Sequence, residues 1–331
     1  MRRARGFAIL AAALAFAAAG PAAGEVPDRP VFTMSLENDI FADSDGHYTN
    51  GVQFGVVSGR ELLPDWMVEM ARAFPLFAEG GRIRATAALG QNMYTPSDIR
   101  VADPLPTDRP YGGWLYVAAG LMSERDDRLD QLQVQIGVVG PMAQAGGTQK
   151  FVHRVINADQ PQGWATQLPN EPGVVLQYQI SDRAFGQGDL LGLRWDLTPH
   201  AGGALGNVFT HAAAGATARF GWRLPHDFGP PRIQPALPSS GFVVPQERGI
   251  GGYFFAGLEG RAVARNIFLD GSTWADSRSV DKKLLVGDLY TGFAVTVGGM
   301  RFAYTHVFRT EEFAGQDGID KYGAVSLSVA F

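Results

Sequence analysis

Apolar and polar residues alternate with period two in short segments spread along the whole chain. Examples are Val52-Gln53-Phe54-Gly55-Val56, Trp114-Leu115-Tyr116-Val117-Ala118, Leu132-Gln133-Val134-Gln135-Ile136 and Val174-Val175-Leu176-Gln177-Tyr178. Each is flanked by turn-forming residues, which predicts strands with one apolar and one polar face. Further candidates are Phe32 to Asn38, Ile83 to Gln91, Leu190 to Leu197, Phe209 to Trp222, Tyr253 to Val263, Leu284 to Val297, Met300 to Phe308 and Tyr322 to Phe331. The total is twelve, an even number as bacterial membrane barrels require.

The first two dozen residues differ in kind. Arg2, Arg3 and Arg5 precede an apolar run from Phe7 to Ala19, and small residues follow to Gly24, so residues 1–24 read as a cleavable export signal and 25–331 as one barrel domain. No later segment has the roughly 18 uninterrupted apolar residues of a spanning helix. Removing three arginines and no acids takes the formal charge from −5 to −8, which argues against a nucleic-acid partner. The absence of cysteine excludes disulfides and thiolate metal sites. With 42 glycines, 11% aromatic residues and a mean hydropathy near zero, the composition suits an all-β, twelve-stranded antiparallel transmembrane β-barrel.

An exported β-sandwich also has short alternating strands. Loop placement favours the barrel. With a periplasmic amino terminus, the connections 39–49, 92–110, 141–170, 264–283 and 310–321 lie outside, whereas Glu124 to Leu129, Ser181 to Gly188 and Gly298-Gly299 make inner turns. Two inner segments are long: Glu61 to Arg82, where Trp66, Met67, Met70 and Phe74 predict an amphipathic helix, and the proline-rich 223–251. Both read as periplasmic plugs or caps. A closed barrel has no strand edge left to pair, so a monomer is expected. The last segment ends on Phe331, and an aromatic end resembles the sorting signal of outer-membrane barrels.

The polar clusters fall on the outer side of this map. Asn38, Asp39 and Thr49 flank the first external hairpin; an amide, a carboxylate and a hydroxyl there suit a hard cation such as calcium, or equally an ordinary turn motif. Gln144 to Ile156 reads as a short external-loop helix with Gln149, Val152, His153 and Ile156 at helical spacing, and Gln149 and His153 on one face. Such a helix leaning on the barrel wall makes a cleft open to lipid and water. His153 is the natural general base, since imidazole titrates near neutrality; the alternative is a structural histidine. His47, His200, His211, His226 and His306 lack comparable polar company, with His200 and His211 placed beside an external turn. No two histidines sit at zinc-ligand spacing, and no serine motif accompanies His153. Tyr94, Tyr111 and Trp114 read as interface girdle residues. Asp108-Arg109 reads as an external ion pair or a lipid-phosphate contact, and Arg261, Arg265, Lys282 and Lys283 as head-group contacts or solubilising charges.

At Glu37-Asn38-Asp39, Tyr48-Thr49-Asn50-Gly51, Asp108-Arg109-Pro110-Tyr111, Val139-Gly140-Pro141, Gln149 and His153-Arg154-Val155-Ile156 the chain resembles the outer-membrane lipid A 3'-O-deacylase family. The resemblance covers nearly all of residues 25–331. It implies a twelve-stranded barrel in the bacterial outer membrane that acts on lipid A of lipopolysaccharide. It also implies a calcium-dependent mechanism in which a histidine activates water and calcium stabilises the oxyanion. Carried over, His153 is the base, Asp39 a calcium ligand, and Asn38, Thr49 and Gln149 are pocket groups. Asp159 stands where a glutamate is expected, one methylene shorter. The competing class is a non-enzymatic barrel, a small pore or structural protein; a pore needs an open polar lumen, and a lipid-facing enzyme a filled one.

Overall fold

Period-two alternation closes here into a ring. The computed structural model describes residues 29–39, 47–59, 63–230, 232 and 249–331, with backbone alone for residues 47–49 and Ala184. The expected export signal therefore lies outside the described residues. Thirteen antiparallel strands follow in chain order: β1 (Val31–Asn38), β2 (His47–Val57), β3 (Arg82–Thr95), β4 (Gly112–Arg125), β5 (Arg128–Val139), β6 (Glu171–Asp182), β7 (Gly186–Leu190), β8 (Leu193–Gly206), β9 (Phe209–Trp222), β10 (Ile250–Asn266), β11 (Leu285–Val297), β12 (Met300–Arg309) and β13 (Asp320–Ala330). Neighbours in sequence pair except β6 and β7, β6 pairs β8 instead, and β13 returns to β1. Twelve strands thus close the barrel, and β7 is a short flap on the start of β8. Closure removes every edge from the ring.

The seventh barrel strand is the one the alternation misplaces. Leu190 ends the flap, Leu191 and Gly192 turn at φ 55° and 79°, and β8 then runs on to Gly206. Its second half, Ala201-Gly202-Gly203-Ala204, has no large side chain to reveal a period. A Cβ at Gly202 would lie 2.1 Å from the Tyr178 carbonyl oxygen, so glycine lets β8 close on β6.

One strand face is apolar and exposed: Phe32, Phe54, Leu89, Val117, Ile136 and Leu258 all point away from the ring. None of the described helices is long and apolar enough to cross a membrane. The other face fills the lumen. Tyr94, Trp114, Tyr116, Phe209, Tyr253, Tyr290 and Tyr322 form one buried cluster with Phe268, which sits on the short helix α3 (Ile267–Asp270), read here as the third helix. Phe268 stacks on Tyr94 at 4.0 Å, and a Cβ on Gly112 would come within 2.6 Å of its ring. Tyr94 and Trp114 are therefore lumenal, not girdle residues.

Among these aromatic residues the lumen also carries buried ions. Asp288 accepts from Arg261, Arg309 and Arg232 at 2.8–3.0 Å. Asp227, in the long inner segment, is held by Arg219 at 2.5 Å and Arg301 at 2.6 Å, and Arg232 lies 4.4 Å over Tyr290. The described part of segment 223–251 thus enters the lumen as a plug, as expected, and a cavity of about 40 Å³ remains beside Thr198, Arg232 and Glu259. Arg261 is committed to Glu259 and Asp288 and meets no lipid head group. Arg265 is held by the Asn207 and Gly271 carbonyls, Lys282 by Asp270 and Lys283 by Glu311. His200 and His211 sit inside the ring as well: the β8–β9 turn is Asn207-Val208, and His200 meets Glu259 at 3.3 Å.

At the end that carries the termini, helix α1 (Asp65–Ala73) forms where the amphipathic pattern predicts it. Ala71 and Phe77 pack with Ile83 and Leu121, while Trp66 and Met70 stay exposed. The two-residue turns Asp126-Asp127 and Gly298-Gly299 share that end. The remaining helix, α2 (Ala145–Ile156), and the connections 96–111, 140–170 and 267–284 occupy the opposite end, while the long connections 58–81 and 223–249 at the terminal end depart from the usual short-inside rule.

Candidate functional site at the outer rim

Strand register brings the first motif to the outside of the wall. Phe32 and Met34 face outward on β1, so Asn38 does too, and Glu37 faces the lumen. Across the sheet Asn38 pairs with Asn50, Asn50 with Met93, and Met93 with Gly113. This outward row runs from β1 to β4 near the outer rim. Asp39 follows Asn38 just past the strand end and is buried. Thr49 lies at an irregularity in the β2–β3 register, and its side chain is outside the described residues, as are residues 40–46.

Helix α2 docks at the far end of that row. Val139-Gly140-Pro141 makes the exit from β5: Gly140 takes φ 95°, and its N–H donates to the Gly113 carbonyl at 3.0 Å. A Cβ on Gly113 would sit 2.5 Å from the Ala145 Cβ, so the glycine allows the helix to touch the wall. Gln91 Nε2 donates to the Ala143 carbonyl at 2.6 Å and ties the helix start to β3. The buried face of α2 is Ala145, Gln149 and His153, four residues apart. Ile156, expected on that face, is exposed with Phe151 and Val155, so the outer face of α2 is apolar too.

The helix stops at Asn157, which takes a left-handed conformation and donates its N–H to the His153 carbonyl. The chain then doubles back beneath the histidine. His153 Nδ1 lies 2.5 Å from the main-chain oxygen of Asp159. A carbonyl only accepts, so Nδ1 is the donor in this contact, and Nε2 is the ring nitrogen left to accept. Asp159 orients His153 through its backbone, and the residue is otherwise exposed.

A second support comes from Trp164, in a 3₁₀ turn over Gly163–Thr166. Its indole N–H donates to Gln149 Oε1 at 2.6 Å. Tyr111 packs on Trp164 with ring centres 5.0 Å apart and donates its hydroxyl to the Ile99 carbonyl. Tyr111 is thus buried beneath α2 with Met93, Ala145 and Trp164, and is no girdle residue. Sequence reading gave Trp164 no role at the site. The available signal was the pair of glycines: Cβ atoms at Gly146 and Gly163 would strike Trp164 and Tyr111 at 2.8 and 2.3 Å.

Arg109 is not a solvated partner of Asp108. It is fully buried, donates to Glu312 at 3.2 Å and lies 5.0 Å over the Tyr94 ring. Asp108 instead accepts from the Ser97 amide and hydroxyl. Burial alone would raise the Glu312 pKa, but Arg109, Arg309 and Arg261 bring it below the ordinary carboxylate value. Among the described residues no three histidine or carboxylate side chains gather as a metal cluster. A hard cation at the first hairpin would rely on Asp39, the Asn38 amide, main-chain carbonyls and water, a donor set of oxygens that suits calcium.

The family described as outer membrane protein LpxR matches residues 8–331. Among solved structures, LpxR from Salmonella typhimurium is similar with a TM-score of 0.75 at 23% identity, covering 91% of this chain and 100% of that one. The beta domain of the Bordetella autotransporter BrkA follows at a TM-score of 0.46 and 10% identity, covering 92% and 99% of the two chains. None of the curated protein sequences compared with the chain matches it.

Proposed function

Given that the chain belongs to the family of the outer membrane protein LpxR, we propose that it is an outer-membrane lipid A deacylase. In this reading it is a calcium-dependent esterase that removes the 3'-O-linked acyloxyacyl group with water as the nucleophile. The observation that carries it is the 2.5 Å contact of His153 Nδ1 with the Asp159 carbonyl oxygen, which leaves Nε2 to act as the base on the buried face of a helix outside the barrel. Nε2 takes a proton from water as the oxygen attacks the ester carbonyl, and returns it to the departing alkoxide.

Reach is consistent with one composite site. The eight residues from Ala145 to His153 rise about 12 Å along the helix, and the three strand spacings from Gly113 to Asn38 sum to about 14 Å. Helix α2 is therefore long enough to bring His153 toward Asn38 and Asp39. The exposed apolar side chains of Phe151, Val155 and Ile156 on α2 support a cleft that meets a lipid surface, where an acylated substrate lies. Asn38, Thr49 and Gln149 are assigned to the pocket, and Asp39 to the calcium. Calcium, when bound, supplies positive charge for the developing oxyanion.

The pore alternative conflicts with the filled lumen, which α3 blocks at one end and Asp227 and Arg232 enter from the other. The test of the enzyme is mass spectrometry of lipid A from cells with and without the protein, in calcium and in chelator. A calcium-dependent loss of the 3'-linked acyl group is expected; unchanged lipid A with a folded barrel overturns the activity. In the purified protein, Asp39→Ala is expected to raise the calcium needed for half-maximal rate at least about tenfold. An unchanged calcium titration removes Asp39 from the ligand set.

A further inference from the structure

The amide of Gln149 has one fixed orientation. An indole N–H can only donate, so the atom 2.6 Å from Trp164 Nε1 must be the amide oxygen. The Nε2 group then faces the other way. It is buried and has no hydrogen-bond acceptor among the described residues, although Gln149 itself is only 2% exposed. A buried amide donor left unmatched costs roughly 1–3 kcal/mol, so a fold that keeps one at a cleft has an acceptor arriving from elsewhere. Gln149 lies one helical turn from His153 on the same face, so that acceptor belongs to the substrate that the His153-activated water attacks.

Resting on the deacylase reading, we propose that Trp164 is a positioning residue that locks Gln149 so that Nε2–H donates to the carbonyl oxygen of the scissile ester. The lock is stiff because the indole is itself clamped. Gly146 lets the helix backbone close on one face of the ring, and Tyr111 packs against it, anchored to the Ile99 carbonyl. Without the indole N–H the amide can rotate by half a turn and present its oxygen to the substrate carbonyl. That exchanges an attraction for a repulsion at the atom where negative charge develops.

Three variants test this: Trp164→Phe, which keeps an aromatic ring against Gly146 and Tyr111 and deletes the N–H, Gln149→Leu, and the double variant. Turnover of a purified acylated lipid is measured alongside the indole N–H proton resonances of the detergent-solubilised barrel. Trp164→Phe is expected to lower kcat by about tenfold to hundredfold with little change in KM, and Gln149→Leu by about a hundredfold or more. The double variant should match Gln149→Leu alone, because Trp164 acts only through Gln149. Multiplying losses in the double variant overturn the proposal. So does a Trp164 indole resonance that Gln149→Leu leaves unmoved in a folded barrel, a readout that stands even if the wild-type protein turns over no lipid A. Absence of wild-type turnover would instead strike the deacylase reading itself.

Discussion

Replacing His153 with alanine is expected to reduce ester hydrolysis by about 10²–10⁴-fold while the barrel still folds and inserts. The expectation follows from where the side chain sits. His153 is on α2, outside the twelve-stranded ring, and its ring meets a main-chain oxygen six residues along. Its removal leaves the lumenal core and the strand ladder untouched, so loss of activity cannot be blamed on misfolding. The check is release of the acyl group by wild type and variant at equal amounts of folded protein, with folding scored by the heat-dependent shift in gel migration. Comparable turnover by the variant would eliminate histidine-activated water. A second substitution sharpens the point: Asp159→Ala keeps the carbonyl that His153 Nδ1 donates to, so it should retain most of the rate. A loss as deep as that of His153→Ala would give the Asp159 carboxylate a role that the Nδ1 contact does not require.

Much of this arrangement was legible in the chain, and the failures share one cause. Alternation located the strands because each has a large apolar residue on its outer face, as at Phe32 and Phe54. It misplaced the seventh because Ala201 to Ala204 are all small. Helical spacing found α2 and paired Gln149 with His153, but it also assigned Ile156 to the buried face, where Asn157 ends the helix before that turn packs. Tyr94, Tyr111 and Trp114 carry the chemistry of girdle residues, yet face the lumen or the underside of α2. Period two says that a residue alternates and not which face is lipid. The same ambiguity turned Arg109 and Arg261, both buried and paired with carboxylates, into surface charges. Partners such as Glu312 for Arg109 and Asp227 for Arg301 lie far away in sequence and are fixed only when the ring closes.

Ring closure also decides between a pore and a scaffold, and the strongest expected stability effect comes from that interior. Asp288 sits on β11, fully enclosed, and accepts from three guanidinium groups: Arg261 and Arg309 through two hydrogen bonds each and Arg232 through one. Asp288→Ala leaves those cations facing one another with Glu259 and the more distant Glu312 as the remaining carboxylates. Breaking a buried ionic cluster from one side costs about 3–5 kcal/mol, because the uncompensated charges stay out of water. The variant is therefore expected to unfold at clearly lower guanidinium concentration, followed by the fluorescence of the buried Trp114 and the other tryptophans. In a water-filled pore the same carboxylate would be solvated, and its loss would cost under about 1 kcal/mol. A variant as stable as wild type would thus return the lumen to solvent and the pore to contention. A large loss would place the cluster in the protein's structural core, since those arginines lie inside the ring while His153 and Gln149 lie on a helix outside it. The chemistry can then be altered at α2 without touching the charges that hold the barrel shut.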